Sequence, residues 1–200
     1  MAFPERLAIA SRNAHKLREL ARICADWPVD WVTVDDHEGA WPDVDEPHDS
    51  YRENALAKAR EVAAALGVPA IADDSGIEVD ALGGAPGPRS ARFAGEDASD
   101  ERNLAELVAK VAETEPARRT ARYRCVAAIA WPDGHELATE GVCEGMLVAD
   151  PRGEGGFGYD PVFVPEGSDR TMAELADEEK DAISHRGRAF RALRALLATG

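Results

Sequence analysis

Two adjacent carboxylates, Asp73 and Asp74, close an apolar run in the stretch Ile71-Ala72-Asp73-Asp74-Ser75-Gly76-Ile77-Glu78-Val79-Asp80. A carboxylate delivered at the end of a strand can hold a metal ion or take a proton from water, and either task needs only one of the pair. Val68 to Ala72 is short and apolar, and Ile77, Val79 and Ala81 alternate with Glu78 and Asp80. The spacing predicts a strand, an Asp-Ser-Gly turn and a second strand. Neighbouring residues of an extended chain point to opposite faces, so one carboxylate can face a cleft while the other braces the turn. The same four residues are equally good turn formers with no chemistry attached.

A second candidate lies near the N-terminus. Leu7-Ala8-Ile9-Ala10 reads as a strand, and Leu17, Leu20, Ala21 and Cys24 follow at helical spacing. The polar loop between them, Ser11-Arg12-Asn13-Ala14-His15-Lys16, opens a helix, where backbone N–H groups and the positive end of the dipole favour an anion such as phosphate. An ordinary capped loop fits these residues as well, and the Gly-Lys-Ser/Thr ending of a Walker A loop is absent. In the last third, Gly153 to Pro161 sets Phe157 and Tyr159 among glycines, a loop able to approach a flat ligand or simply to tuck Phe157 into a core. Ser184-His185-Arg186 crowds cations at the start of the final helix, the wrong end for them unless an anion or another acceptor is present.

Lysine usage singles out three of these places. The 23 basic residues include four lysines, leaving nineteen arginines. Lys16, Lys58 and Lys180 each lie beside a candidate segment, whereas Lys110 sits in a helical stretch with nothing suggestive around it. Lysine is a compact point charge suited to phosphate oxygens and does not interchange freely with arginine.

The elements that must position these residues are legible in outline. Asp26 to Pro47, rich in acids and holding Trp31 and Trp41, predicts one strand near Trp31 and then an irregular approach ending at Glu46. Ser50 and Glu53 form a capping box for a helix with a buried stripe through Ala55, Leu56, Ala59, Val62 and Ala63, closed by Gly67. Asn54, Lys58 and Glu61 fall on its polar face, which predicts solvent exposure. A loop follows at Gly83 to Pro88, then a helix capped by Ser99. Ala121 to Ile129 is the first strand of a hairpin turned by Trp131-Pro132-Asp133-Gly134, and Val162-Phe163-Val164 another strand. Thr171 to Asp181 reads as an acidic helix, and Ser184 opens the last one.

Two hundred residues with 44% hydrophobic content suit one domain, residues 1–200, with two lobes around a cleft. The net charge of −15 argues against a nucleic-acid polymer as partner, because phosphate backbones recruit clustered Lys and Arg. Cys24, Cys125 and Cys143 are odd in number and lack metal-ligand spacing, which predicts reduced core thiols in the cytoplasm. Met1 to Arg6 has no signal-peptide character, and no apolar run approaches the roughly 20 residues of a membrane span.

Several segments in order now carry a resemblance: Ser-Arg-Asn-Ala-His-Lys at 11–16, Glu46 with Glu53-Asn54-Ala55 and Lys58, Ala-Asp-Asp-Ser-Gly at 72–76, Leu-Gly-Gly-Ala-Pro-Gly at 82–87, Gly-Phe-Gly-Tyr-Asp-Pro at 156–161, and Lys180 with Ser-His-Arg at 184–186. Over nearly its whole length the chain is similar to the inosine triphosphate pyrophosphatase family, departing from it at Arg12, where a smaller residue is common. The resemblance implies an α/β fold, two-lobed around a long mixed sheet with flanking helices and a central substrate cleft. It also implies a homodimer, Mg²⁺, and hydrolysis of ITP, dITP or XTP to the monophosphate and pyrophosphate. Residue by residue, it assigns Asp74 as proton acceptor and metal ligand, Glu46 as a second metal ligand, and Ser75 as a substrate contact. Ser11, Arg12, Asn13, Ala14, His15, Lys16 and Lys58 would lie along the triphosphate. Phe157, Gly158, Tyr159, Asp160, Lys180, His185 and Arg186 would hold the base and sugar. A donor such as Arg186 or a backbone N–H would favour the C6 carbonyl of hypoxanthine over the amine of adenine. Three other readings stay open at this point: a Maf-type nucleotide pyrophosphatase, a carboxylate-pair glycosidase, and a nucleotide sensor without catalysis.

Overall fold

The computed structural model describes residues 3–36, 41, 42, 44 and 48–199. Six strands form one mixed sheet in the order β2-β1-β3-β4-β5-β6. They are β1 (Arg6–Ile9), β2 (Asp30–Val32), β3 (Ala70–Val79), β4 (Thr120–Ala130), β5 (Glu136–Leu147) and β6 (Phe163–Pro165). β1 runs parallel to both β2 and β3, while β5 and β6 are antiparallel. Among the described residues five α-helices accompany them: α1 (Ala14–Ile23), α2 (Tyr51–Leu66), α3 (Asp100–Val111), α4 (Asp177–Ile183) and α5 (His185–Ala198).

The helix boundaries follow from local chemistry. Asn13 caps α1 by accepting from the His15 and Lys16 amides, and Ser50 and Ser99 cap α2 and α3 in the same way. Gly67 ends α2 in the left-handed region at φ 66°, a conformation that costs glycine little. The chain divides into two compact units. The first comprises the residues up to Asp74, Cys125–Gly141 and Arg186 onward, and the second Ser75–Arg124 and Val142–His185.

In the first unit β1, β3 and β4 are buried on both faces, and alternation sorts two unlike layers. Leu7, Ile9, Ile71, Cys125, Ala127 and Ile129 pack with Leu20 of α1 and Phe190, Leu193 and Leu197 of α5. The opposite face carries Ala8, Ala10, Ala70, Ala72, Ala128 and Ala130, against Ala55, Ala59 and Ala63 of α2. Alanine on both sides lets α2 approach the sheet closely, which brings its polar side chains within reach of the β3 backbone. The second unit has its own core around Ile77, Leu107, Tyr123, Phe163 and Met172. All three cysteines are buried and none forms a disulfide, as expected of core thiols. Among the described residues, no helix is long and apolar enough to cross a membrane.

Two local expectations are corrected. Asp73-Asp74-Ser75-Gly76 is no turn, for β3 runs unbroken from Ala70 to Val79, and Gly76 is absent from the glycines with positive φ. The carboxylates find partners inside the protein and need no exposed bend. The stretch from Thr171 to Asp181 is not one helix either, but a 3₁₀ turn at Met172–Glu174 followed by α4. Ser184, extended at φ −63° and ψ 153°, separates α4 from α5.

Candidate active site

Asp74 follows Ala70 and Ala72 on the alanine-lined face, and so meets α2. Its Oδ2 accepts from Asn54 Nδ2 at 3.0 Å, and its Oδ1 stands 3.9 Å from Lys58 Nζ. Asn54 is itself fixed at both ends of its amide, since Nδ2 donates to the His48 carbonyl and Oδ1 accepts the His48 amide. That bracing determines which way the amide faces and therefore how the carboxylate is turned. Lys58 Nζ donates to the Asp73 carbonyl at 2.7 Å. Lys58 and Asn54 are buried, contrary to the solvated face expected of them, because the small sheet residues draw α2 inward.

Asp73 points the other way, between α1 and α5. Its Oδ2 accepts from Arg186 Nε at 3.3 Å and Nη2 at 3.0 Å, and Lys16 Nζ lies 3.2 Å away. Arg186 Nη1 in turn donates to Glu19 Oε2. Burial would raise the Asp73 pKa, but the charges of Arg186, Lys16 and Lys58 outweigh it and hold the group well below the ordinary carboxylate range. Burial likewise opposes the charge of Arg186, while Asp73 and Glu19 reverse the balance and keep the guanidinium protonated. Lys16 also approaches the Asp73 carbonyl at 3.5 Å, so two ammonium groups converge on one main-chain oxygen.

The loop leading into α1 is less open than its composition implies. Asn13 takes the His15 and Lys16 amides at 2.9 and 3.2 Å, and Ser11 Oγ accepts the Asn13 amide. An anion here would therefore meet the Lys16 ammonium and would have to compete with Asn13 for those two amides. Arg12 donates to the Trp41 carbonyl at 2.7 Å, which gives the unusual residue a local bracing contact. Ala14 and His15 are exposed in the first turn of α1.

In the second unit, Lys180 and Asp160 form a buried pair at 2.6 Å, and Lys180 Nζ sits 5.2 Å from the centre of the Phe157 ring. Asp160 Oδ2 also accepts the Phe157 amide at 2.9 Å. Gly156, at φ 70°, leaves room for this arrangement, since a Cβ there would collide with Asp160 Oδ2. Phe157 is only partly buried, whereas Tyr159 belongs to the core. His185 stacks on Tyr123 with ring centres 4.6 Å apart and planes 8° from parallel. Ser75 is half-buried on β3.

A sequence profile of the Ham1 family matches residues 7–196. The chain belongs to the Ham1 family. It is 52% identical over 190 residues to a dITP/XTP pyrophosphatase of Streptomyces coelicolor, covering 94% of each chain. It is 47% identical to a protein of the same name from Geobacillus kaustophilus, covering 92% of this chain and 90% of the other. Among solved structures, a HAM1 protein from Coxiella burnetii shares 37% identity with a TM-score of 0.87 over 98% of this chain and all of the other.

For this Ham1-family chain, Asp74, Lys58 and Lys16 come together around the middle of β3; separately, within the second unit, Phe157, Asp160 and Lys180 contact one another. Arg186, assigned to the base end, has its guanidinium engaged by Asp73 and Glu19. The conflict of cations at the start of α5 is thus met by internal carboxylates. Glu19 was not singled out from sequence, and Asn54, named only within a motif and on the polar face of Lys58, was given no role there. Glu46 lies outside the described residues. Among the described residues no group of three or more potential metal ligands forms. Asp74 alone still supplies the hard carboxylate oxygens that suit Mg²⁺, which is ordinarily held by one or two carboxylates together with substrate phosphates, so the donor set fits.

Proposed function

We propose that this protein hydrolyses the non-standard purine nucleotides dITP, ITP and XTP to the monophosphate and pyrophosphate, with Mg²⁺, as a cytoplasmic homodimer that cleanses the nucleotide pool. The names of its relatives support the substrate class. The observation that carries the chemistry is Asp74, turned by a braced Asn54 and standing 3.9 Å from Lys58. Bound Mg²⁺, held by Asp74 and Glu46, would offset the charge of the triphosphate and polarise the phosphorus for attack. Asp74 orients the attacking water and accepts its proton. Lys16 and Lys58, gathered on the Asp73 carbonyl, meet phosphate oxygens along with Ser11 to His15, and Ser75 contacts substrate beside them. Phe157, Asp160, Lys180 and His185 hold the purine and sugar. Arg186 or a main-chain N–H serves as the donor to the C6 carbonyl, where adenine would present an amine.

The test is pyrophosphate release from dITP, ITP, XTP, GTP and ATP, with Mg²⁺ and with EDTA. We expect turnover of the first three only, and only with the metal. Equal rates on GTP would remove the claimed specificity, and activity surviving EDTA would remove the metal.

A further inference from the structure

We propose that Ser90 is a positioning residue that ties the nucleobase loop to the strand bearing Asp74. The proposal rests on reading Phe157–Asp160 as the segment that holds the purine. Ser90 lies in a 3₁₀ segment, Gly87–Arg92. Its Oγ accepts the Ile77 amide at 2.9 Å and donates to the Gly87 carbonyl at 2.6 Å. Its own carbonyl accepts the Tyr159 hydroxyl at 2.7 Å. Ile77, Ser90 and Tyr159 are all buried, so these bonds are made away from competing water.

The chain of bonds has a direction. Tyr159 stands between Phe157 and Asp160, and Ile77 lies three residues beyond Asp74 on the same unbroken strand, about 10 Å along it. Burial pushes the Tyr159 phenol up, which keeps it a neutral donor throughout the physiological range. Its hydroxyl is therefore engaged within the protein, and Tyr159 serves the ligand by holding its neighbours. The loop has further anchors. Asp160 binds Phe157 and Lys180, and the Gly158 amide reaches Asp100 at 3.2 Å in an exposed setting. The Tyr159 bond leads through Ser90 to β3.

Tyr159→Phe removes the tether while keeping the ring, and Ser90→Ala removes the junction at Ile77. For both we expect KM for dITP to rise about 3- to 10-fold, the effect of one hydrogen bond, with kcat within about twofold of wild type. Hydrogen exchange supplies a readout that needs no turnover: the amides of residues 157–160 should exchange faster in Tyr159→Phe, and that of Ile77 faster in Ser90→Ala. The double variant should fall short of the product of the two single effects, since both act on one chain of bonds. A fall in kcat at constant KM, or unchanged exchange in Tyr159→Phe, overturns the proposal. Should the wild-type protein fail to hydrolyse dITP, the functional reading fails and the exchange data alone decide the tether.

Discussion

Asp73 and Asp74 differ by one position and by nearly everything around them. Asp74 faces α2 across an alanine layer and is addressed by a neutral amide and a more distant ammonium. Asp73 faces α1 and α5 and is surrounded by Arg186 and Lys16, with Glu19 behind the arginine. One carboxylate is turned by a braced amide, an arrangement compatible with a proton acceptor or metal ligand. The other is neutralised by its surroundings, as an anchor requires. A strand offers both environments at adjacent positions because its side chains alternate between faces.

The comparison is most severely tested at Asp74 itself. Asp74→Asn keeps the shape and the contact with α2, so pyrophosphate release should drop about 10²- to 10⁴-fold while the melting temperature barely moves. Comparable activity in this variant would end the assignment of Asp74 as the base. Across the strand the pattern should invert. Arg186→Met leaves Asp73 and Glu19 buried without their cation and should cost about 3–5 kcal/mol in urea unfolding. A variant as stable as wild type would show that the cluster is no anchor.

Asn54→Ala should sharpen the distinction from the catalytic side. Losing the group that turns Asp74 should lower activity about 10- to 100-fold, with a smaller effect on substrate affinity measured by equilibrium binding. Acid titration probes the other carboxylate. Because folding lowers the Asp73 pKa, protonation favours the unfolded chain, so its stabilisation is fully present above the unfolded value near 4 and is lost as pH falls below it. Unfolding monitored from pH 6 to 2 should therefore steepen below about pH 4 in wild type and be flatter in Asp73→Asn. The smallest effect belongs to Lys110, whose 3.0 Å pair with Glu106 is exposed. Lys110→Ala should change stability by no more than about 0.5 kcal/mol and leave activity alone.

Much of this was legible before any coordinates. The scarcity of lysine pointed to Lys16, Lys58 and Lys180, and all three proved to be paired with carboxylates in sheltered places, while Lys110 is the surface residue. The caps at Asn13, Ser50, Ser99 and Gly67 fall where the residues predict. The continuity of β3 was not legible, since Asp-Asp-Ser-Gly satisfies every local rule for a turn. Nor was the burial of Asn54 and Lys58, which depends on how near the alanine layers let α2 come.

Sequence by itself determined the family, the order of the elements and the short list of residues able to do chemistry, because caps, periodicity and motif spacing are properties of neighbours along the chain. Tertiary structure decided which carboxylate meets the Asn54 amide and which is enclosed by cations. The partners that make the difference for Asp73 and Arg186 lie 113 residues apart, and those for Arg186 and Glu19 lie 167 apart. The charge state and freedom of a buried group are set by what surrounds it in space, and no local pattern carries that information.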